Sequence, residues 1–103
     1  MTNINIKYKN NLIEKIKILG HTGYDEIGHD IVCSSISSIV ITSINAIIRL
    51  DDESIDHKET EGNVRINVLK HDKVIDTLLV NMIDLLKDLE RQYPKNVKIN
   101  EEV

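Results

Sequence analysis

Aromatic residues are almost absent from this chain, which has three tyrosines and neither tryptophan nor phenylalanine. Its 103 residues suffice for one small domain, 1–103, whose core must be aliphatic and rich in isoleucine. The single cysteine excludes an internal disulfide, and residues 1–7 lack the basic and apolar regions of a secretion signal. Because reduced thiols persist in the cytosol, we expect a cytoplasmic protein.

Positive charge is also in short supply, with 13 Lys and Arg against 17 Asp and Glu and a net charge of −4. This balance argues against direct binding of nucleic acid or of an anionic membrane, since both favour a basic partner. The uncharged run 31–48 approaches the length of a membrane span. It carries seven polar residues, however, so we predict a buried helix and no membrane partner: Ser34, Ser35, Ser37, Ser38, Thr42, Ser43 and Asn45.

Apolar periodicity predicts five strands and two helices. Alternating residues indicate strands at 4–8, 12–19, 64–68 and 97–99, with a short edge strand near 54–60. Helical spacing indicates one helix after Asp30 and a second over Ile75–Tyr93, which Pro94 ends. The predicted fold class is therefore α+β, a two-layer β-β-α-β-β-α-β domain with both helices on one face of a mixed sheet.

The stretch from Gly20 to Cys33 holds the best candidates for chemistry. His21 precedes the only cysteine by twelve residues, and 22–28 has no periodicity and reads as a loop. If Asp30 is the N-cap of the next helix, Cys33 is its third residue, where the helix terminus favours a thiolate. His21 could then serve as the general base. Outside such a pattern, a lone cysteine at a helix start is most often a small buried hydrophobe.

These residues carry a resemblance to a known family. Gly20-His21, then Gly28-x-Asp30-Ile31-Val32-Cys33 with Ser37 beyond, and the late Tyr93-Pro94 resemble the ribosomal-processing cysteine protease family Prp. The resemblance implies a homodimeric endopeptidase, without a cofactor, that removes an N-terminal extension from large-subunit ribosomal protein twenty-seven. It implies Cys33 as nucleophile and His21 as general base, with Gly20, Asp30 and Ser37 at supporting positions. Thr22, Ser34 and Ser35 depart from the family, which usually has alanine there.

Several alternatives stay open at this point. Asp30 could cap the helix or orient His21 as the third member of a triad. Gly23, Tyr24, Ile27 and Gly28 form either a structural loop or a lid that contacts a peptide.

A different class of site is also conceivable, since His21, His29 and Cys33 could hold zinc, although we expect no metal. A non-catalytic ribosome-assembly or peptide-binding module of the same fold is the remaining alternative. In either case Ile31, Ile41, Ile44 and Ile48 lie off the main apolar stripe, which predicts a dimer interface near 41–48.

Overall fold

The architecture follows the predicted order of elements. A computed structural model describes residues 1–20, 27–60 and 62–103, of which 27–30 are described as backbone only. The elements are β1 (Thr2–Lys9), β2 (Leu12–Leu19), α1 (Ile27–Leu50), β3 (Ile55–Thr60), β4 (Asn63–Val68), α2 (Lys73–Gln92) and β5 (Val97–Glu102). The predicted α+β class and the β-β-α-β-β-α-β order are confirmed.

The five strands form one mixed sheet in the order β3-β4-β2-β1-β5. β1 is antiparallel to β2 and parallel to β5, whereas β4 is antiparallel to both β2 and β3. The β1–β2 hairpin turns through Asn10 and Asn11 at φ values of 53° and 64°. Asparagine tolerates this left-handed region better than most residues, which is why the sequence reads as a tight turn here.

One face of the sheet packs against both helices, and the core between them is aliphatic as expected. The strands contribute Ile4, Ile6, Ile13, Ile16, Ile18, Val64, Ile66 and Val97, all buried. The helices contribute Val32, Ile36, Val40, Ile47, Ile75, Leu79, Met82 and Leu86 to the same cluster. Alternate strand residues therefore face the helices, and the intervening ones form the opposite, open face.

The start of α1 differs from the prediction. The helix begins at Ile27, so Asp30 is its fourth residue and cannot be its N-cap, which requires a non-helical backbone. Ile27 and Gly28 belong to the first helical turn and not to a loop. A glycine inside a helix costs only about 1 kcal/mol relative to alanine, and the packing of a long helix can offset that cost.

Of the four isoleucines predicted to lie off the buried stripe of α1, only two are exposed. Ile44 belongs to the core and Ile48 packs partly against it, whereas Ile31 and Ile41 are 50% and 52% exposed. By length and composition, Ile31–Leu50 is long and apolar enough to cross a membrane. In this fold the buried stripe of α1 joins the core shared with the sheet and α2.

Helix α2 has well-formed ends that place the last strand. The Asp72 carboxylate accepts a hydrogen bond from the Ile75 N–H at 2.8 Å, as expected for an N-cap. At the other end, the N–H groups of Asn96 and Val97 donate to the Tyr93 carbonyl, which turns the chain into β5. The Glu90 side chain accepts the Ile99 N–H at 2.7 Å and so occupies part of the β5 edge.

Candidate active site

Gly20 directs the chain out of the sheet directly before His21. It follows the last residue of β2, has φ +79°, and a Cβ at this position would lie 2.9 Å from the Met1 carbonyl oxygen. An L-residue would therefore meet both backbone strain and a main-chain clash. This accounts physically for the glycine of the Gly20-His21 pair.

Cys33 lies in the second turn of α1, as its seventh residue, with 6% of its surface exposed. With Asp30 as the N-cap it would be the third helical residue. Because the helix dipole acts mainly within the first turn, it favours the thiolate less here than expected. A largely buried thiol ionises only where neighbouring groups stabilise the charge, so the residues around Cys33 matter more than the helix terminus.

Ser37 indicates what the helix face that carries Cys33 packs against. It lies one turn after Cys33 on the same helix face and is half-buried. With Ile18 of β2 and Val64 of β4 it lines a narrow cavity of about 30 Å³, the space of one water molecule. Since Ile18 lies two residues before Gly20, this packing places Ile36 and Ser37 of α1 near the end of β2.

A second, open groove of about 540 Å³ runs between the two helices. It is lined by Ser34, Ser35, Ser38 and Ile39 of α1 and by Leu85, Asp88, Leu89 and Gln92 of α2. The two serines that follow the cysteine, which depart from the family's usual alanines, thus face this groove. The Ser35 hydroxyl donates to the Ile31 carbonyl at 2.9 Å, so it is held within the helix. Sequence reasoning did not assign this groove, because it depends on how α1 and α2 pack.

The structure locates only some of the predicted site residues. Gly20, Cys33 and Ser37 are fully described. Asp30, Ile27 and Gly28 are placed as backbone within α1, and the proposals for His21, Gly23 and Tyr24 lie outside the described residues.

The predicted zinc alternative gains no support from what is described. Among the described side chains, no three His, Cys, Asp or Glu residues are grouped as metal ligands would be. The side chains of His21 and His29, which that alternative needs, are outside the described part of the chain.

A separate ionisable cluster lies at the opposite end of the sheet. Burial, and then a hydrogen bond with Glu101, raise the pKa of Tyr8 to about 12. Lys87, 2.7 Å from the Glu101 carboxylate, and Tyr8 lower the pKa of that carboxyl group. The cluster ties β1, β5 and α2 together, and we assign it a structural role.

Comparison with known proteins defines the class first. A sequence profile of the family described as cysteine protease Prp matches residues 1–98. The chain is thus a small cysteine protease domain whose one thiol is carried by the core helix.

Individual relatives agree with this class. The ribosomal processing cysteine protease Prp of two Staphylococcus aureus strains is 33% identical over 84 residues, which is 79% of this chain and 79% of the relative. The chain belongs to the Prp family of ribosomal-processing cysteine proteases, as the sequence resemblance predicted.

Solved structures confirm the fold. The S. aureus Prp protease in complex with a substrate peptide superimposes with a TM-score of 0.91 at 26% identity, over 99% of this chain and 100% of that one. The same protease with a covalently linked product peptide gives a TM-score of 0.89 at 27% identity, with the same coverage. A Streptococcus mutans protein at 23% identity shares the fold, with a TM-score of 0.84 over 99% of this chain and 94% of that one.

Proposed function

We propose that this chain is an endopeptidase that removes the N-terminal extension of large-subunit ribosomal protein twenty-seven, with Cys33 as nucleophile and His21 as general base. The observation that carries the proposal is the position of the only thiol. It lies in the second turn of the core helix, one turn before Ser37, which lines a cavity with Ile18 two residues before Gly20. The family match and the peptide complexes of its S. aureus relative support the same assignment.

The proposed chemistry proceeds in two acyl-transfer steps. The Cys33 thiolate attacks the carbonyl carbon of the scissile bond, while His21 holds the proton that came from the thiol. His21 gives this proton to the leaving amine as the C–N bond breaks, which leaves the N-terminal extension as a thioester on Cys33. Water then attacks the thioester with His21 as general base and releases the extension as a carboxylate. The covalently linked product in the S. aureus relative is consistent with such an intermediate.

In this scheme Asp30 orients His21 and does not cap the helix. Because its backbone lies inside α1, Asp30 is not the N-cap residue of this helix. We assign it to orienting His21 and stabilising the imidazolium, as the third member of a triad does. Ser37 supports the site from one turn further along α1.

The proposed setting is the cytoplasm, and the proposed state is a homodimer. Ile31 and Ile41 are half-exposed on α1, and Leu85 and Val80 are 42% and 50% exposed on α2. A second copy related by a two-fold axis would remove such apolar surface from water. Since Ile44 is buried within its own chain, the predicted interface contracts to the surroundings of Ile41.

The test is cleavage of the purified full-length ribosomal protein, followed by mass spectrometry of both fragments. Cys33→Ala should abolish cleavage while the far-ultraviolet circular dichroism stays unchanged, because alanine is well tolerated in a helix. His21→Ala should lower turnover by about 100-fold or more through loss of acid–base help, and His29→Ala is the matched histidine control.

The opposite results distinguish the alternatives. Substantial cleavage by Cys33→Ala would exclude Cys33 as the nucleophile. Binding of the extended protein by the unaltered chain without any cleavage would favour the non-catalytic peptide-binding module.

A further inference from the structure

The open face of the sheet, which points away from both helices, has an unusual composition. The register aligns three rows of five residues across β5, β1, β2, β4 and β3. The rows are Lys98, Asn3, Leu19, Asn63 and Thr60; then Asn100, Asn5, Lys17, Arg65 and Lys58; then Glu102, Lys7, Lys15, Asn67 and Asp56. All fifteen positions are half-buried or exposed.

Charge is strongly segregated onto this face. It carries six cations against two carboxylates, whereas the rest of the acidic chain carries seven cations against fifteen carboxylates. Among the described residues, the ion pairs involve Lys70, His71, Lys87 and Arg91 and none of the six cations of the open face. The net charge of −4 therefore conceals a basic surface.

Stability does not account for this arrangement. Lys7 lies directly opposite Lys15, and Arg65 lies between Lys17 and Lys58. Like charges directly opposite each other on neighbouring strands destabilise a sheet. Lys7 also faces Glu102 of β5, but a carboxylate in place of Lys15 or Arg65 would stabilise the sheet, so the cations point to an anionic partner outside the chain.

We infer that this open face binds the phosphate backbone of RNA. Strands about 4.8 Å apart, with same-face residues about 6.8 Å apart along each strand, present the cations as a dense array. A nucleic-acid backbone offers anionic charge at comparable density. Asparagine amides, five of which lie in these rows, are common donors to phosphate oxygens.

The composition also selects the form of RNA and disfavours other occupants. The rows contain no aromatic side chain on which a base could stack, so contact is with the backbone of a duplex and independent of sequence. Leu19 is the one apolar residue, which leaves nothing to insert into a membrane. A second copy would bring two basic faces together and repel.

The choice of RNA as the occupant rests on the proposed function, which brings the enzyme to a ribosomal particle. It also revises the expectation, drawn from net charge, that the chain makes no direct contact with nucleic acid. RNA binding is measured without any peptide, so an absence of RNA binding and an absence of protease activity are separate results.

Fluorescence anisotropy of a labelled RNA duplex of about 16 base pairs, titrated with the full chain, tests the inference. If all six cations contact phosphates, the affinity should fall by about 1,000-fold between 50 and 200 mM salt. The variant Lys15→Glu with Lys17→Glu should bind at least about 100-fold more weakly. The matched control is Lys73→Glu with Lys95→Glu, which changes the net charge equally at exposed positions away from this face. Its affinity for the RNA duplex should stay within about threefold of that of the unaltered chain.

Thermal unfolding of the same variants separates binding from folding. In the Lys15→Glu, Lys17→Glu variant the reversed charges face Lys7 and Arg65, so it should melt at no lower temperature than the unaltered chain. Weaker binding by an equally stable variant supports the inference. Three results would each overturn the inference. Both double variants could bind RNA equally well, or poly-glutamate could compete as well as RNA. The third is a dimer that dissociates when the charges of the open face are reversed.

Discussion

Replacing Gly20 with alanine should be one of the most damaging small substitutions in this domain. A residue with a Cβ at φ +79° costs about 1–2 kcal/mol in backbone strain. The new Cβ would also lie 2.9 Å from the Met1 carbonyl oxygen, and main-chain atoms cannot move aside as a flexible side chain does. Overpacking of this kind costs about 1–3 kcal/mol.

The two costs together predict a loss of about 2–4 kcal/mol in the free energy of unfolding, after a small offset from the stiffer unfolded chain. For a domain of this size that corresponds to a decrease of about 10–20 °C in Tm. Urea unfolding followed by circular dichroism, with the slope m compared between variants, measures it directly.

Gly62→Ala is the matched control, because Gly62 has a similar φ of +77° but lies in the β3–β4 turn. It should show a backbone strain of the same size, about 1–2 kcal/mol. Cleavage measured where both variants are folded should fall further for Gly20→Ala, by about 100-fold if His21 shifts by an ångström. Equal stability losses in the two variants would refute the contact with Met1.

Three further predictions concern other parts of the molecule. Asp30→Asn should lower kcat by about 10-fold or more at unchanged stability if the carboxylate orients His21, and an unchanged kcat would contradict that role. Tyr8→Phe should cost about 1 kcal/mol in the free energy of unfolding through loss of the hydrogen bond with Glu101. Folding raises the Tyr8 pKa from 10.0 to about 12, so the contribution of Tyr8 to stability is complete below pH 10 and is lost as the pH rises toward 12. Urea unfolding across that pH range should show this loss for the unaltered chain and not for Tyr8→Phe. Sedimentation equilibrium should give about twice 11.8 kDa for the unaltered chain and a monomer for Ile41→Glu, whereas a monomeric unaltered chain would contradict the dimer.

The fold was predictable where apolar periodicity is regular. β1, β4 and α2 have clean periods of two or 3.6 residues, and their predicted positions are confirmed. The start of α1 was missed because two local signals, an acidic residue typical of an N-cap and a nearby glycine, indicated a later start. Tertiary packing of a long helix outweighs both.

The sequence indicates candidate site residues but not their geometry. Cys33 and the Gly20-His21 pair stand out in the sequence, whereas the approach of α1 to the end of β2 depends on how the helix lies across Ile18 and Val64. The basic face was hidden for a similar reason. Lys17 is far from Lys58 and Arg65 in the sequence and becomes their neighbour only through the strand order.

The parallel pairing of β1 with β5 has a consequence for synthesis of the chain. It joins segments about as distant as the sequence allows, and the hydrogen bond between Asn5 and Asn100 spans 95 positions. Until β5 has left the ribosome, β1 lacks this neighbour and its edge is a template for wrong pairing. Such long-range closure is slow, since a long loop must form before any contact compensates for it. A nascent chain of this protein should therefore acquire its native sheet only once β5 has emerged from the ribosome.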